Sequence, residues 1–208
     1  MRLCFTLDDV LRNKTVQIGK IYKKYIDPDI NLEELDFSTN NYERIFGFEN
    51  KKEFEKFLYE DYVFEIFAEA TACDKMLDKK LNLWLIEQEN NDELNEKLEV
   101  SLSNPMEFNA SIGYTYFFVS KMATRIREIF LPVDSQEIWD KCDVLVTADP
   151  KLLSSKPEGK LSVKIENDYN SDKPSDYTYA SLSDFLQDEE IINTLDKIVY
   201  DSRQKSEQ

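Results

Sequence analysis

The chain contains no histidine among its 208 residues. That absence removes Ser-His-Asp and Cys-His nucleophilic catalysis, histidine-ligated zinc and the usual general base near neutral pH. Any chemistry falls to carboxylates, lysine, tyrosine and hydroxyls. Glycine is scarce too, with four residues, Gly19, Gly47, Gly113 and Gly159. A backbone that wraps a phosphate closely needs positions without a Cβ, and none of the four follows an acidic pair. The three cysteines, Cys4, Cys73 and Cys142, are far apart and odd in number, which argues against a disulfide framework and against a Cys-x-x-Cys metal site. Two of them lie in apolar runs and read as small core residues in a reducing compartment.

Positive charge is also in deficit. Lys plus Arg number 26 against 42 Asp plus Glu, a net charge of −16, which repels nucleic-acid phosphates and anionic membrane surfaces. The pairs Lys23-Lys24, Lys51-Lys52 and Lys79-Lys80 are diluted by nearby acids and read as solvated helical faces. No apolar run approaches the ~20 residues of a membrane span, and the N-terminus has no basic segment leading into a long apolar one. The expectation is an intracellular protein that binds neither nucleic acid nor membrane.

What is present is a core. Apolar residues make up 41% and aromatics 12%, enough to exclude a disordered chain. The length fits one domain with a large insertion, or two small domains. The chain opens on Arg2-Leu3-Cys4-Phe5-Thr6-Leu7-Asp8-Asp9-Val10-Leu11. An apolar run ending in an acidic pair reads as a buried strand that delivers carboxylates to the end of a sheet, the place where open α/β sheets build sites.

Residues 16–25 then carry apolar positions at helical spacing, and Asn50 with Glu53 predicts a capped helix. Further helices are expected through Phe64–Leu85 and, capped by Asn90 and Glu93, through Leu94, Leu98 and Leu102. After Pro105 the pattern changes. Tyr114-Thr115-Tyr116-Phe117-Phe118-Val119, ending in Ser120, reads as a buried strand, with a helix following to Phe130. Residues 143–147, 161–165 and 177–179 predict three more strands. Ser183 is expected to cap a helix, and Ile191–Val199 to form the last one, before a polar, frayed tail over 201–208. A strand, a helical insertion and then strand-helix alternation imply a parallel sheet with helices on both faces.

The pattern Thr6-Leu7-Asp8-Asp9-Val10 resembles the first signature of the haloacid dehalogenase-like (HAD) phosphatases, a strand followed by Asp-x-Asp-x-Thr/Val, with Thr6 where the family has its nucleophilic Asp. The resemblance implies an α/β, HAD-like parallel-sheet core of Rossmann type over 1–12 and 106–200, with a helical cap at 13–105. In the family the first Asp attacks phosphorus and ligates Mg²⁺, and the second acts as general acid and base. It also implies a phosphate-binding hydroxyl at a strand end, matched in form by Ser120, and a neutralising Lys beside Pro, matched by Lys156-Pro157. An acidic cluster that helps hold Mg²⁺ would be Glu166, Asp168 and Asp172. Lys156 reads equally as a surface residue before a turn, and the Asp168 tract as an Asn/Asp turn.

Thr6 has a weakly nucleophilic hydroxyl, and without histidine the chain has no ordinary base to activate it. The expectation is therefore a catalytically inactive HAD-like protein without cofactor or metal, serving as an interaction subunit. The Asn-, Lys-, Asp- and Ile-rich composition resembles that of proteins of AT-rich tailed bacteriophages, including the crAss-like group. A virion component present in many copies in the host cytoplasm or the particle would be one form of that role. The competing expectation is an Mg²⁺-dependent phosphatase or nucleotidase using Asp8 or Asp9 with Ser120 and Lys156, its metal held by Asp8, Asp168 and Asp172. A third is a phosphoryl-ligand sensor binding through Ser120 and Lys156 without turnover.

Overall fold

In the computed structural model, which describes residues 1–106 and 108–206, the opening run forms a strand because both its faces are covered. Leu3, Cys4 and Phe5 of β1 (Arg2–Thr6) are completely buried, as a strand in the middle of a parallel sheet must be. The other strands are β2 (Glu99–Ser103), β3 (Glu128–Phe130), β4 (Val144–Thr147), β5 (Leu161–Ile165) and β6 (Tyr177–Tyr179). All pair in parallel, in the order β3-β2-β1-β4-β5-β6. The chain leaves β1 towards β2 on one side and later returns to β4 on the other, so the order reverses at β1. Open α/β sheets bind ligands at such a switch point, beyond the carboxyl ends of the strands.

The helices are α1 (Lys14–Tyr25), α2 (Tyr42–Ile45), α3 (Lys51–Lys56), α4 (Leu77–Glu89), α5 (Ile112–Met122), α6 (Gln136–Lys141), α7 (Pro150–Ser154), α8 (Leu182–Gln187) and α9 (Ile191–Ser206). Two π-helical turns, Phe57–Asp61 and Phe64–Ala68, follow α3. The Asn50 side chain accepts from the Glu53 amide at 3.1 Å, so α3 starts where the capping pattern put it.

Three apolar clusters organise the molecule. The largest lies on the sheet face covered by α4, α8 and α9, where the Phe5 ring meets Trp84 and Phe185 edge-on, each at 6.0 Å. A smaller one holds Cys4, Trp139 and Leu145 under α6 and α7. The third gathers Ile18, Phe46, Phe57, Ile66 and Phe67 into an aromatic layer of α1–α3 and the π turns, above the strand ends.

Several expected elements are corrected. The apolar run at 114–119 is not a strand but the middle of α5. Thr115, Phe118 and Met122 are buried while Tyr116 and Phe117 are exposed, a burial pattern of helical period that overrides the strand preference of the residue types. The expected helix through Leu102 gives way to β2, so the stretch 13–105 is not helical throughout. The helix expected to run to Phe130 ends at Met122, ahead of β3. Ser181, not Ser183, caps α8, accepting from the Asp184 amide. Residues 201–206 are not frayed: they continue α9, and Arg203 bridges Glu96 and Asp143. Of the expected tail, 207 and 208 lie outside the described residues. No described helix is long and apolar enough to cross a membrane.

Candidate functional site

Beyond Thr6 the chain closes a tight loop. The amides of Leu11 and Arg12 donate to the Leu7 carbonyl at 2.9 and 2.8 Å, and the Asp9 amide donates to the Arg12 carbonyl at 2.7 Å. Buried Leu7, Val10 and Leu11 anchor it. Asp9 adopts a left-handed backbone with φ 57°, a conformation that Asp tolerates better than most residues. The loop turns Asp8 and Asp9 towards a cavity of about 560 Å³ between the strand ends and the aromatic layer.

Asp8 is saturated by internal partners. Arg12 donates to Oδ1 through Nε at 2.8 Å and Nη2 at 2.5 Å, while Lys14 Nζ and Asn104 Nδ2 donate to Oδ2 at 2.9 and 3.0 Å. Asn104, just past β2, also accepts from the Asp8 amide at 3.1 Å. Burial by itself would raise the Asp8 carboxyl, but the two cations outweigh it and hold the group well below the usual carboxylate range. Lys14 answers in kind: burial pulls it down, and the Asp8 charge more than compensates and raises it. Arg12 is fully buried. Its Nη1 donates to the Thr115 hydroxyl at 2.9 Å and the Phe67 carbonyl at 3.3 Å. The guanidinium lies 5.0 and 5.6 Å from the Phe67 and Phe118 ring centres.

Asp9 is held differently. Oδ1 accepts from the Thr15 amide at 2.9 Å, and Oδ2 accepts from the Thr15 hydroxyl at 2.5 Å and the Tyr169 phenol at 2.9 Å. Burial raises its pKa, the nearby Asp8 charge adds to the rise, and the bonds from Thr15 and Tyr169 oppose it. Thr6, the expected degenerate nucleophile position, lies on the cavity floor. Its hydroxyl pairs with that of Thr147 at 3.1 Å, with no base among these contacts.

The remaining expected site residues are not brought to the cavity. Ser120 sits on α5, its hydroxyl donating to the Phe117 carbonyl at 2.7 Å. The strand whose end it was to mark does not exist. Lys156 pairs with Asp176 at 2.8 Å. Asp168 lines a separate cleft with Phe37 and Asn167, Asp172 pairs with Lys173, and Glu166 pairs with Lys164. The cavity wall holds instead Lys14, Asn104, Tyr169 and Asp149, with Tyr42, Phe54 and Tyr59 from the aromatic layer. Asp149 follows β4 and caps α7 through the Lys151 amide at 2.7 Å, and burial raises its pKa. Arg12, Lys14 and Asp149 carry no motif or spacing in the sequence that marks them as part of a site. Asn104 was hidden because β2 read as helix.

An Mg²⁺ ion, which the resemblance implies, does not match this donor set. It takes oxygen ligands and is held by carboxylate charge. Here Thr6 offers a hydroxyl where the resemblance expects the first carboxylate, and both oxygens of Asp8 already carry cationic donors. Among the described residues no three His, Cys, Asp or Glu side chains gather into a group able to hold a metal.

No protein-family model matches the sequence. No curated protein matches it either. Solved structures do. A haloacid dehalogenase-like hydrolase from Bacteroides fragilis superposes with a TM-score of 0.56 at 10% identity, covering 88% of this chain and 98% of that one. Another, from Burkholderia xenovorans LB400, gives 0.55 at 10% identity over 90% and 95% of the two chains. The chain therefore has the HAD-like fold, an α/β parallel sheet of Rossmann type with accompanying helices. At this identity the likeness establishes architecture, and function has to be argued from the site.

Proposed function

We propose that this protein uses the HAD-like fold without transferring phosphoryl groups, as an interaction subunit for other proteins. The observation that carries the reading is the state of Asp8: four side-chain donors occupy its two oxygens, beside a position where Thr6 replaces a nucleophile. A carboxylate fixed between a guanidinium and an ammonium is a structural tie. It holds the aromatic layer to the strand ends, because Arg12 and Lys14 also contact Phe67.

The interaction role draws on a surface between the second π turn and α5, where Phe64, Tyr116 and Phe117 are exposed and the Phe64 and Phe117 rings lie 6.2 Å apart. Aromatics of this kind are enriched at interface centres. The phage-like composition extends the proposal to a decorating or connecting component of a virion, where many copies add weak contacts. One observation favours the alternative of a phosphatase or nucleotidase: Asp9 lines the cavity with a raised pKa, as suits a general acid.

Hydrolysis of p-nitrophenyl phosphate with Mg²⁺ separates the two readings. The wild type is expected to give the rate of the protein-free blank; turnover that Asp8→Ala abolishes would sink the non-catalytic reading. For the structural role, the chain should co-purify stoichiometrically with a large particle from its native source, and recovery as a free monomer at every stage refutes it.

A further inference from the structure

Lys14 is the first residue of α1, and its ammonium reaches the cavity floor, 2.9 Å from Asp8 Oδ2. The opposite oxygen is held by Arg12, whose guanidinium enters from the buried side and cannot be reached by solvent. The two carboxylates Asp8 and Asp9 are thus offset by two fixed cations, one on each side of Asp8. We propose that Lys14, backed by Arg12, is a built-in replacement for a divalent cation: the chain supplies internally the positive charge that a metal would bring, and so excludes metal from this cavity.

The physical reason is charge and space together. A divalent ion approaching Asp8 Oδ2 meets the Lys14 ammonium already bonded there, and like charges at contact distance repel strongly in a partly buried site. The Phe67 ring centre also lies 5.5 Å from Lys14 Nζ, a cation–π contact that helps hold the ammonium beside Asp8. Thr6 contributes no negative oxygen to offset the repulsion. Two substitutions should reverse the exclusion: Lys14→Met removes the ammonium with little loss of stem packing, and Thr6→Asp adds an anionic oxygen to the cavity floor. Neither change depends on whether the protein turns over any substrate.

The test is Mn²⁺ binding, read by titration calorimetry and by the paramagnetic signal of free Mn²⁺, on the wild type, Thr6→Asp, Lys14→Met and the double variant. The wild type is expected to show no saturable binding, and Thr6→Asp a weak one, because the Lys14 ammonium still holds Asp8. The double variant should bind at least about tenfold more tightly than Thr6→Asp, the scale of one removed neighbouring charge. Saturable binding by the wild type, or equal binding by Thr6→Asp and the double variant, overturns the proposal. Should the double variant fail to fold by circular dichroism, Lys14→Met alone decides, since Arg12 still pairs with Asp8. It should show a Mn²⁺-dependent rise in Tm that the wild type lacks, and no rise refutes the exclusion.

Discussion

Replacing Arg12 with methionine removes the one cation that connects Asp8, Phe67 and Thr115. The guanidinium is wholly buried, and Asp8 is 18% exposed. Deleting one partner of a buried ion pair costs about 3–5 kcal/mol. Asp8 keeps Lys14 and Asn104, which places the ion-pair loss at the lower end, about 3 kcal/mol. Methionine still fills the space between the Phe67 and Phe118 rings, so little apolar contact is lost. At this chain length each kcal/mol moves Tm by about 2–4 °C, so the expected fall is about 6–12 °C. Urea unfolding followed by fluorescence reports it directly, because Trp84 and Trp139 are both buried in the core. A loss under about 1 kcal/mol, the value of an exposed pair, would refute the claim that Arg12 clamps the layer to the sheet. A cycle with Asp8→Asn adds a second criterion: the coupling should be about 1–3 kcal/mol, and independent effects would contradict the shared network.

The pH dependence should divide between the two carboxylates. Asp9 is raised by burial, so its native form holds a proton more tightly than the unfolded chain does. That contribution favours the native state at low pH and is lost as pH rises from about 4 through the raised value. Asp149 acts with the same sign, whereas depressed Asp8 stabilises above about pH 4 and loses that contribution on acidification. In Tm scans between about pH 4 and 7, Asp9→Asn should gain on the wild type as pH rises; parallel curves would show that Asp9 is not perturbed. The thiols should be inert in the native protein. Burial pushes Cys4 and Cys73 up and Cys142 up to about 12, so a disulfide reagent at about pH 8 should find little thiolate to attack. All three should react in denaturant; fast labelling of one in the native state would contradict this burial.

Elements whose burial pattern is local were visible in the sequence. Leu3-Cys4-Phe5 and Val144-Leu145-Val146 are short apolar runs buried on both faces, as central strands of a parallel sheet are. The Asn50–Glu53 cap is equally local. β2 was not visible: Leu94, Leu98 and Leu102 share a helical spacing, and only pairing with β1 from Arg2↔Glu99 to Thr6↔Ser103 makes the segment extended. The run at 114–119 failed in the opposite sense, because aromatic and β-branched residues favour strands until packing requires one buried face and one exposed.

The site divides in the same way. Thr6, Asp8 and Asp9 announced themselves by position, at the end of the first buried strand. What the sequence by itself determined is therefore the α/β class and the place of the candidate residues at the end of the first strand, both properties of residue type and short-range order. Which groups would surround Asp8 was decided only by tertiary structure. Asn104 follows a strand distant in the chain, Tyr169 comes from a turn beyond β5, and Arg12 owes its burial to Phe67, Thr115 and Phe118 closing over it. Whether a carboxylate catalyses, binds metal or serves as a structural tie depends on the charges within a few ångströms of it, and long-range packing sets those distances.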